Sequence, residues 1–167
     1  MGLKRKIADW IVKRAIRKNQ KSGAFGDLLL PIETGKIENV LVILPTQMEL
    51  VENALNFFHR LKKTFENWKF VVLDVTKIET NNLNKLGLPN AAFLEKLKQQ
   101  DAHLIIDLNT ADNLKSIHIV NSLNAPYRLS IRKTEYAVYN LHFSGRDNAG
   151  NPFSHVIPAL NTVLKTD

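Results

Sequence analysis

Between residues 39 and 131, short apolar runs alternate with longer amphipathic stretches. Val40-Leu41-Val42-Ile43-Leu44 is continuous and largely β-branched, the pattern of a strand covered on both faces, and Pro45 ends it. Thr46-Gln47-Met48-Glu49 then matches a capping box, in which the Thr hydroxyl and the Glu carboxylate satisfy orphan amides at a helix start. The predicted helix places Leu50, Ala54, Phe57, Phe58, Leu61 and Phe65 on one broad face. Residues 69–74 (KFVVLD) read as a second buried strand, followed by a polar stretch holding Asn81, Asn82 and Asn84. Pro89-Asn90 caps a short helix carrying Phe93, Leu94 and Leu97. Residues 103–108 (HLIIDL) form the third strand. Asn109-Thr110 is read as the cap of the next helix, with Asp112 against its dipole and Leu114, Ile117 and Val120 inward. After Ala125-Pro126, residues 127–131 and 136–143 read as strands, 144–151 as a turn-rich loop and 154–165 as a closing helix with Pro158 near its first turn.

This rhythm predicts an α/β fold: a Rossmann-like open, mostly parallel sheet with helices on both faces. Ligands of such sheets bind beyond the carboxyl ends of the strands. That directs attention to Thr46, Gln47, Asp107, Asn109 and Thr110, and to residues 74–76 and 144–148.

Residues 3–19 predict a separate basic amphipathic helix, with Leu3, Ile7, Trp10, Ile11 and Ala15 on one side and Lys6, Asp9, Lys13 and Arg17 on the other. Arg14 projects from the apolar side. The chain divides into this helix (1–22), a linker or irregular stretch (23–35) and one Rossmann-like domain (36–167). Charge follows the same division. Residues 1–22 hold eight Lys and Arg and one Asp, while the remainder holds fifteen bases and fifteen acids, so the whole formal charge of +7 belongs to the helix. With 44% hydrophobic and 23% charged residues over 167 positions, the body can bury a core, which excludes a disordered or collagen-like chain.

Several chemistries are excluded. The chain has no cysteine, hence no disulfide, thiolate nucleophile or Cys-ligated metal, in keeping with a cytoplasmic setting. The first strand-to-helix turn contains no glycine, which argues against a dinucleotide fingerprint or a P-loop, and no Gly-x-Ser-x-Gly elbow occurs. The five histidines (59, 103, 118, 142 and 155) lack metal-ligand spacing. Neither a metal nor a cofactor is expected. Asp107, ending an apolar strand at the sheet crevice, either lines an acceptor site or binds the amides of its own turn. Glu49 is either a base beside the first strand or half of the capping box.

Three stretches resemble the N-terminal, acceptor-side domain of the lipopolysaccharide heptosyltransferases, the family-nine glycosyltransferases of GT-B type. Residues 36–63 (KIENVLVILPTQMELVENALNFFHRLKK) resemble the family's first strand and long helix, 101–109 (DAHLIIDLN) its Asp-x-x-Ile-Asp-Leu segment, and 122–130 (SLNAPYRLS) its Gly-Ala-Pro-x-Arg-Ile-Gly segment. The resemblance implies a bacterial protein tied to envelope glycan assembly. The family carries a Gly-Asp pair after its first strand, whose Asp serves as base. Counting back from Leu61 places Glu49 and Leu50 there, and a one-residue slip places Glu49 on the Asp. Ser130 stands for the family's second Gly. The chain is expected to lack the donor-binding second domain. The resemblance therefore implies a glycosyltransferase-like domain inactive alone or dependent on a partner chain or homo-oligomer; the alternative is a non-enzymatic binding or scaffold module keeping only the fold.

The basic helix admits three readings. Trp10, Ile7 and Ile11 dock on the domain with the cations in water; or the helix lies in the plane of an anionic membrane; or it binds nucleic acid, for which the neutral body offers no second patch. On the membrane reading, Lys4, Arg5, Lys6, Trp10, Ile11, Lys13, Arg14, Arg17 and Lys18 meet the surface, and the protein sits peripherally on the inner membrane face. No nucleic-acid partner is expected.

Overall fold

In the computed structural model, which describes residues 2–24, 27–145 and 150–165, the apolar runs assemble a five-stranded, all-parallel sheet. The elements in chain order are α1 (Leu3–Lys21), β1 (Ile32–Glu33), β2 (Asn39–Ile43), α2 (Val51–Thr64), β3 (Lys69–Leu73), α3 (Ala91–Lys98), β4 (Leu104–Asp107), α4 (Leu114–Leu123), β5 (Tyr127–Ser130), β6 (Leu141–His142), α5 (Val156–Val163) and β7 (Leu164–Lys165). The sheet order β3-β2-β4-β5-β6 is that of an open, doubly wound α/β fold whose strand order reverses between β2 and β4. The expected architecture is present.

Side chains alternate across the sheet with period two. Val40, Val42, Leu104, Ile106 and Leu129 pack with α2 and α5 through Ala54, Phe57, Leu61, Val156 and Leu160. On the other face Leu41, Ile43 and Ile105 meet α3 and α4 through Leu94, Ile117 and Val120. Both faces of the inner strands are covered, which is why β2 and β4 read as unbroken apolar runs.

Several boundaries differ from the sequence reading, each for a hydrogen-bonding reason. No capping box forms at Thr46–Glu49: a 3-10 turn over Met48–Leu50 precedes α2, and no side chain caps that helix. The Thr46 amide is instead drawn across the sheet end to Asn109 Oδ1 (3.0 Å). Asn109-Thr110 does not cap α4, because Asn109 is wholly buried; the cap is Asn113, whose Oδ1 accepts from the amides of Lys115 and Ser116. The cap at Asn90 forms as expected, accepting from Phe93 N (2.9 Å). The strand expected over 136–143 shrinks to Leu141–His142. Upstream of it, the Val138 carbonyl accepts from Arg128 Nε (2.6 Å) and Asn140 Oδ1 accepts from the Arg128 amide (2.8 Å), contacts that replace a ladder. The closing helix is shorter than 154–165, and Leu164–Lys165 pairs in parallel with Ile32–Glu33, so part of the expected irregular stretch is a short strand. Of the loop expected at 144–151, residues 146–149 lie outside the described residues.

The N-terminal helix forms as expected but docks by another face. Ala8, Val12 and Ile16 are buried in the core beneath it, packed with α4, while Leu3, Ile7 and Trp10 are 74%, 41% and 58% exposed. Polar contacts hold it in register. Asp9 accepts from the Tyr136 hydroxyl, and Lys13 bridges Asp9 (3.2 Å) and Glu135 (2.9 Å). Near the other end Asn19 Nδ2 donates to the Asn121 carbonyl (2.9 Å). The docking of Trp10, Ile7 and Ile11 on the domain is thereby corrected, and so is the placement of Lys13 and Asp9 on the water-facing side.

One consequence of this packing is measurable by titration. On α4, burial pushes the His118 imidazole below its ordinary value of 6.5, and the Pro89 backbone offsets only part of that. A depressed folded value means that neutral His118 contributes stability above about pH 6.5, where the unfolded chain is also neutral. That contribution is lost as pH falls through the folded value, because unfolding then takes up a proton. Urea unfolding between pH 5 and 7.5 is expected to show this loss, and His118→Phe to flatten it. The depressed carboxyls of Asp9 and Asp74 act in a separate, more acidic window below about pH 4.

Candidate functional site

The reversal of strand order places the natural ligand crevice between the carboxyl ends of β2 and β4. Asp107 ends β4 in register with Ile43 and Ser130, so its side chain is carried to the crevice floor. It is fully buried, and a carboxylate there requires partners. It has four. Oδ1 accepts from the Asn109 amide (3.0 Å) and from Asn109 Nδ2 (2.7 Å). Oδ2 accepts from an Arg132 guanidinium nitrogen (3.1 Å) and from the Tyr139 hydroxyl (2.5 Å).

Arg132 is buried too, and its remaining donors are also placed. Nε meets Asp112 (2.9 Å), a second contact reaches the Asn109 carbonyl (3.0 Å), and a third the Tyr139 oxygen (3.2 Å). Burial works against this cation, but Asp107, then Tyr139 and Asp112, outweigh it and hold Arg132 above its ordinary value. Burial and the neighbouring Asp107 carry the Tyr139 phenol well above its usual range, so it keeps the proton it donates. A second buried guanidinium, Arg128, is lowered to about 10 by burial and donates to the carbonyls of Ala125 and Val138.

The crevice is thus occupied by the chain's own side chains. Besides Asp107, Asn109 Nδ2 donates to Ser116 Oγ (3.1 Å), and Gln47 Nε2 crosses to Thr110 Oγ1 (2.8 Å). All five expected crevice residues, Thr46, Gln47, Asp107, Asn109 and Thr110, do meet here, but they bond to one another. A general base must be free to accept a substrate proton, and the four hydrogen bonds to Asp107 leave it no such lone pair. Glu49 lies exposed on the 3-10 turn, and among the described residues no hydrogen bond or ion pair joins it to the crevice. Arg132 and Tyr139 were not singled out by sequence. The available signal was the place of Asp107 at the end of an apolar run, which calls for a cation from the segment after α4, where Arg128 and Arg132 stand. Among the described residues no three His, Asp or Glu side chains converge on a metal-sized site.

The other candidate surface is the outer face of α1. Lys6, Arg14, Arg17, Lys18 and Lys21 are exposed around Leu3, Ile7 and Trp10, with Ile11 half-buried and the Arg14 guanidinium 5.3 Å from the Trp10 ring centre. Lys4 and Arg5 are exposed at the first turn, whereas Lys13 is held by Asp9 and Glu135 on the domain side. No helix is long and apolar enough to cross a membrane among the described residues. No family model, curated protein or solved structure matches the chain.

Proposed function

We propose that the protein is a membrane-peripheral binding module that keeps a Rossmann-like fold and presents α1 to an anionic bilayer on the cytoplasmic face. The carrying observation is the direction of Trp10: the helix is already anchored through Ala8, Val12 and Ile16, yet turns Leu3, Ile7 and Trp10 outward among five cations. A tryptophan ring with cations around it suits the boundary between headgroups and acyl chains. Each Lys or Arg near an anionic surface adds about 1 kcal/mol. Co-sedimentation with phosphatidylcholine vesicles, with and without phosphatidylglycerol, tests this: pelleting only with the anionic lipid is expected, and none with either lipid overturns it. Deleting α1 is the wrong control, since it strips cover from α4; exposed substitutions are the right one.

A second reading keeps the chain as a heptosyltransferase-like domain of envelope glycan assembly that acts with a partner chain or a second copy. It is favoured by the placement of the three resembling stretches, which fold as β2–α2, β4 and β5 around the crevice. Incubation with nucleotide sugars separates the two. Turnover restored by a chain supplying the donor half supports the second reading; no turnover under any pairing leaves a binding module.

A further inference from the structure

With the switch-point crevice closed by Asn109, the sheet opens one strand further along. A cleft of about 560 Å³ lies past the carboxyl end of β3, between the first turn of α1, Val75–Thr76, the 86–88 turn and the start of α4. That volume is in the range of small-ligand sites, and the cleft lies at the carboxyl-end side of the sheet, one strand from the switch point.

The cleft is built from buried and fixed parts. Val75, Leu88 and Ala8 are buried along its floor. One wall is a closed turn in which Asn84 Oδ1 accepts from the amides of Leu86 (2.9 Å) and Leu88 (3.1 Å). Gly87 sits in that turn at φ +79°, a conformation favouring glycine, and a side chain there would be strained. Lys115 is held at the mouth by donating to the Val75 carbonyl (3.3 Å).

Its charge is one-sided. Lys4, Arg5 and Lys115 line it against a single acid, Asp112, and the Asp112 carboxylate is engaged by Arg132 at 2.9 Å. Among the described residues neither Lys4 nor Arg5 forms an ion pair, and the Arg5 charge acts at longer range on the Asp9 carboxyl, which it helps to lower. Three cations over an apolar floor, facing one carboxylate that shares Arg132 with Asp107, leave a net positive lining that fits an anion carrying an apolar or planar portion. Arg5 supplies a planar fork matched to phosphate oxygens, and the two lysines supply point charges.

We infer that this cleft binds a phosphate-bearing small molecule, its phosphate between Lys4, Arg5 and Lys115 and its remainder on Val75 and Leu88. The cleft shares Lys4 and Arg5 with the residues of the membrane reading, whereas Arg17 and Lys18 lie farther along α1 and do not line it. Two sources share this chemistry, a free phosphorylated metabolite and a lipid headgroup, and two probes distinguish them. Titration of the full chain with inorganic pyrophosphate, and separately with short-chain phosphatidylglycerol below its micellar concentration, is followed by amide shifts of Thr76 and Gly87 and by calorimetry. Saturable shifts with pyrophosphate assign a soluble ligand; shifts with the lipid alone assign a headgroup. In either case Lys115→Gln and the exposed Lys4→Gln are each expected to weaken binding about tenfold, while Lys63→Gln, an exposed change on α2 away from the cleft, leaves it unchanged. Far-UV circular dichroism checks that the variants are folded. No shift at Thr76 or Gly87 with either probe overturns the inference, and so does equal weakening by Lys63→Gln, which would mean diffuse attraction to the whole protein. Vesicle pelleting is read in a separate assay, so failure of one reading leaves the other standing.

Discussion

Asp107→Ala is expected to destabilise the protein by about 3–5 kcal/mol, because it leaves the Arg132 guanidinium buried without its countercharge. The loss is not confined to one contact. Asn109 loses the acceptor for its amide and the shortest of its Nδ2 contacts, and Tyr139 loses the acceptor for a hydroxyl held well above its usual range. Asp112 remains beside Arg132 but is about one-third exposed, so it compensates incompletely. Urea-unfolding midpoints give the measurement, with Asp107→Leu/Arg132→Met as the companion. Removing both charges together is expected to cost less than the sum of the single changes, since no uncompensated charge stays behind. A loss under about 1 kcal/mol for Asp107→Ala, the level of a surface pair, would sink the structural role. Asp107→Asn discriminates further: a base would lose turnover with little change in stability, whereas an architectural carboxylate loses stability first.

The sheet was legible in the sequence because burial on both faces leaves a local signature. Val40–Leu44 and Leu104–Ile106 show it as unbroken apolar runs, and the α2 face from Leu50 to Phe65 shows it as helical spacing. The crevice residues were legible for a positional reason, since strand ends in a doubly wound sheet are where chemistry gathers. Their mutual bonding was not. Asn109 can cap a helix or bridge two strands, and only the distance to the Thr46 amide decides which. Arg132 and Tyr139 lie 25 and 32 residues from Asp107, beyond the reach of any local pattern. The docking face of α1 failed for a different reason. Two apolar stripes coexist on it, and the bulkier one, with Trp10, draws the eye. The one that packs is Ala8, Val12 and Ile16, where a small residue permits close approach to α4 and the flanking Asp9 and Asn19 find polar partners in Tyr136 and Asn121.

That choice of face is what makes α1 testable as a membrane surface without unfolding the protein. Arg14, Arg17, Lys18 and Lys21 are exposed, so changing all four to Gln is expected to leave the unfolding midpoint near that of the parent chain. Binding to anionic vesicles should fall sharply. At about 1 kcal/mol per cation, the four changes remove about 4 kcal/mol, roughly a thousandfold in affinity. The parent chain's binding should itself weaken as salt is raised, because the Debye length shrinks from about 10 Å at 0.1 M to about 3 Å at 1 M. Trp10→Ala should act through a different term. It removes apolar area worth about 1.5–3 kcal/mol on insertion and leaves the charge intact, so its effect should persist in high salt. Two salt-dependence curves separate these contributions: a cation effect that vanishes with salt and a tryptophan effect that does not. If Trp10→Ala changes nothing while the four Gln changes abolish binding, the surface is purely electrostatic and α1 does not enter the bilayer. Duplex DNA bound more tightly than vesicles, with an affinity falling steeply in log salt, would instead make the outward cations a phosphate-backbone contact and replace the membrane reading.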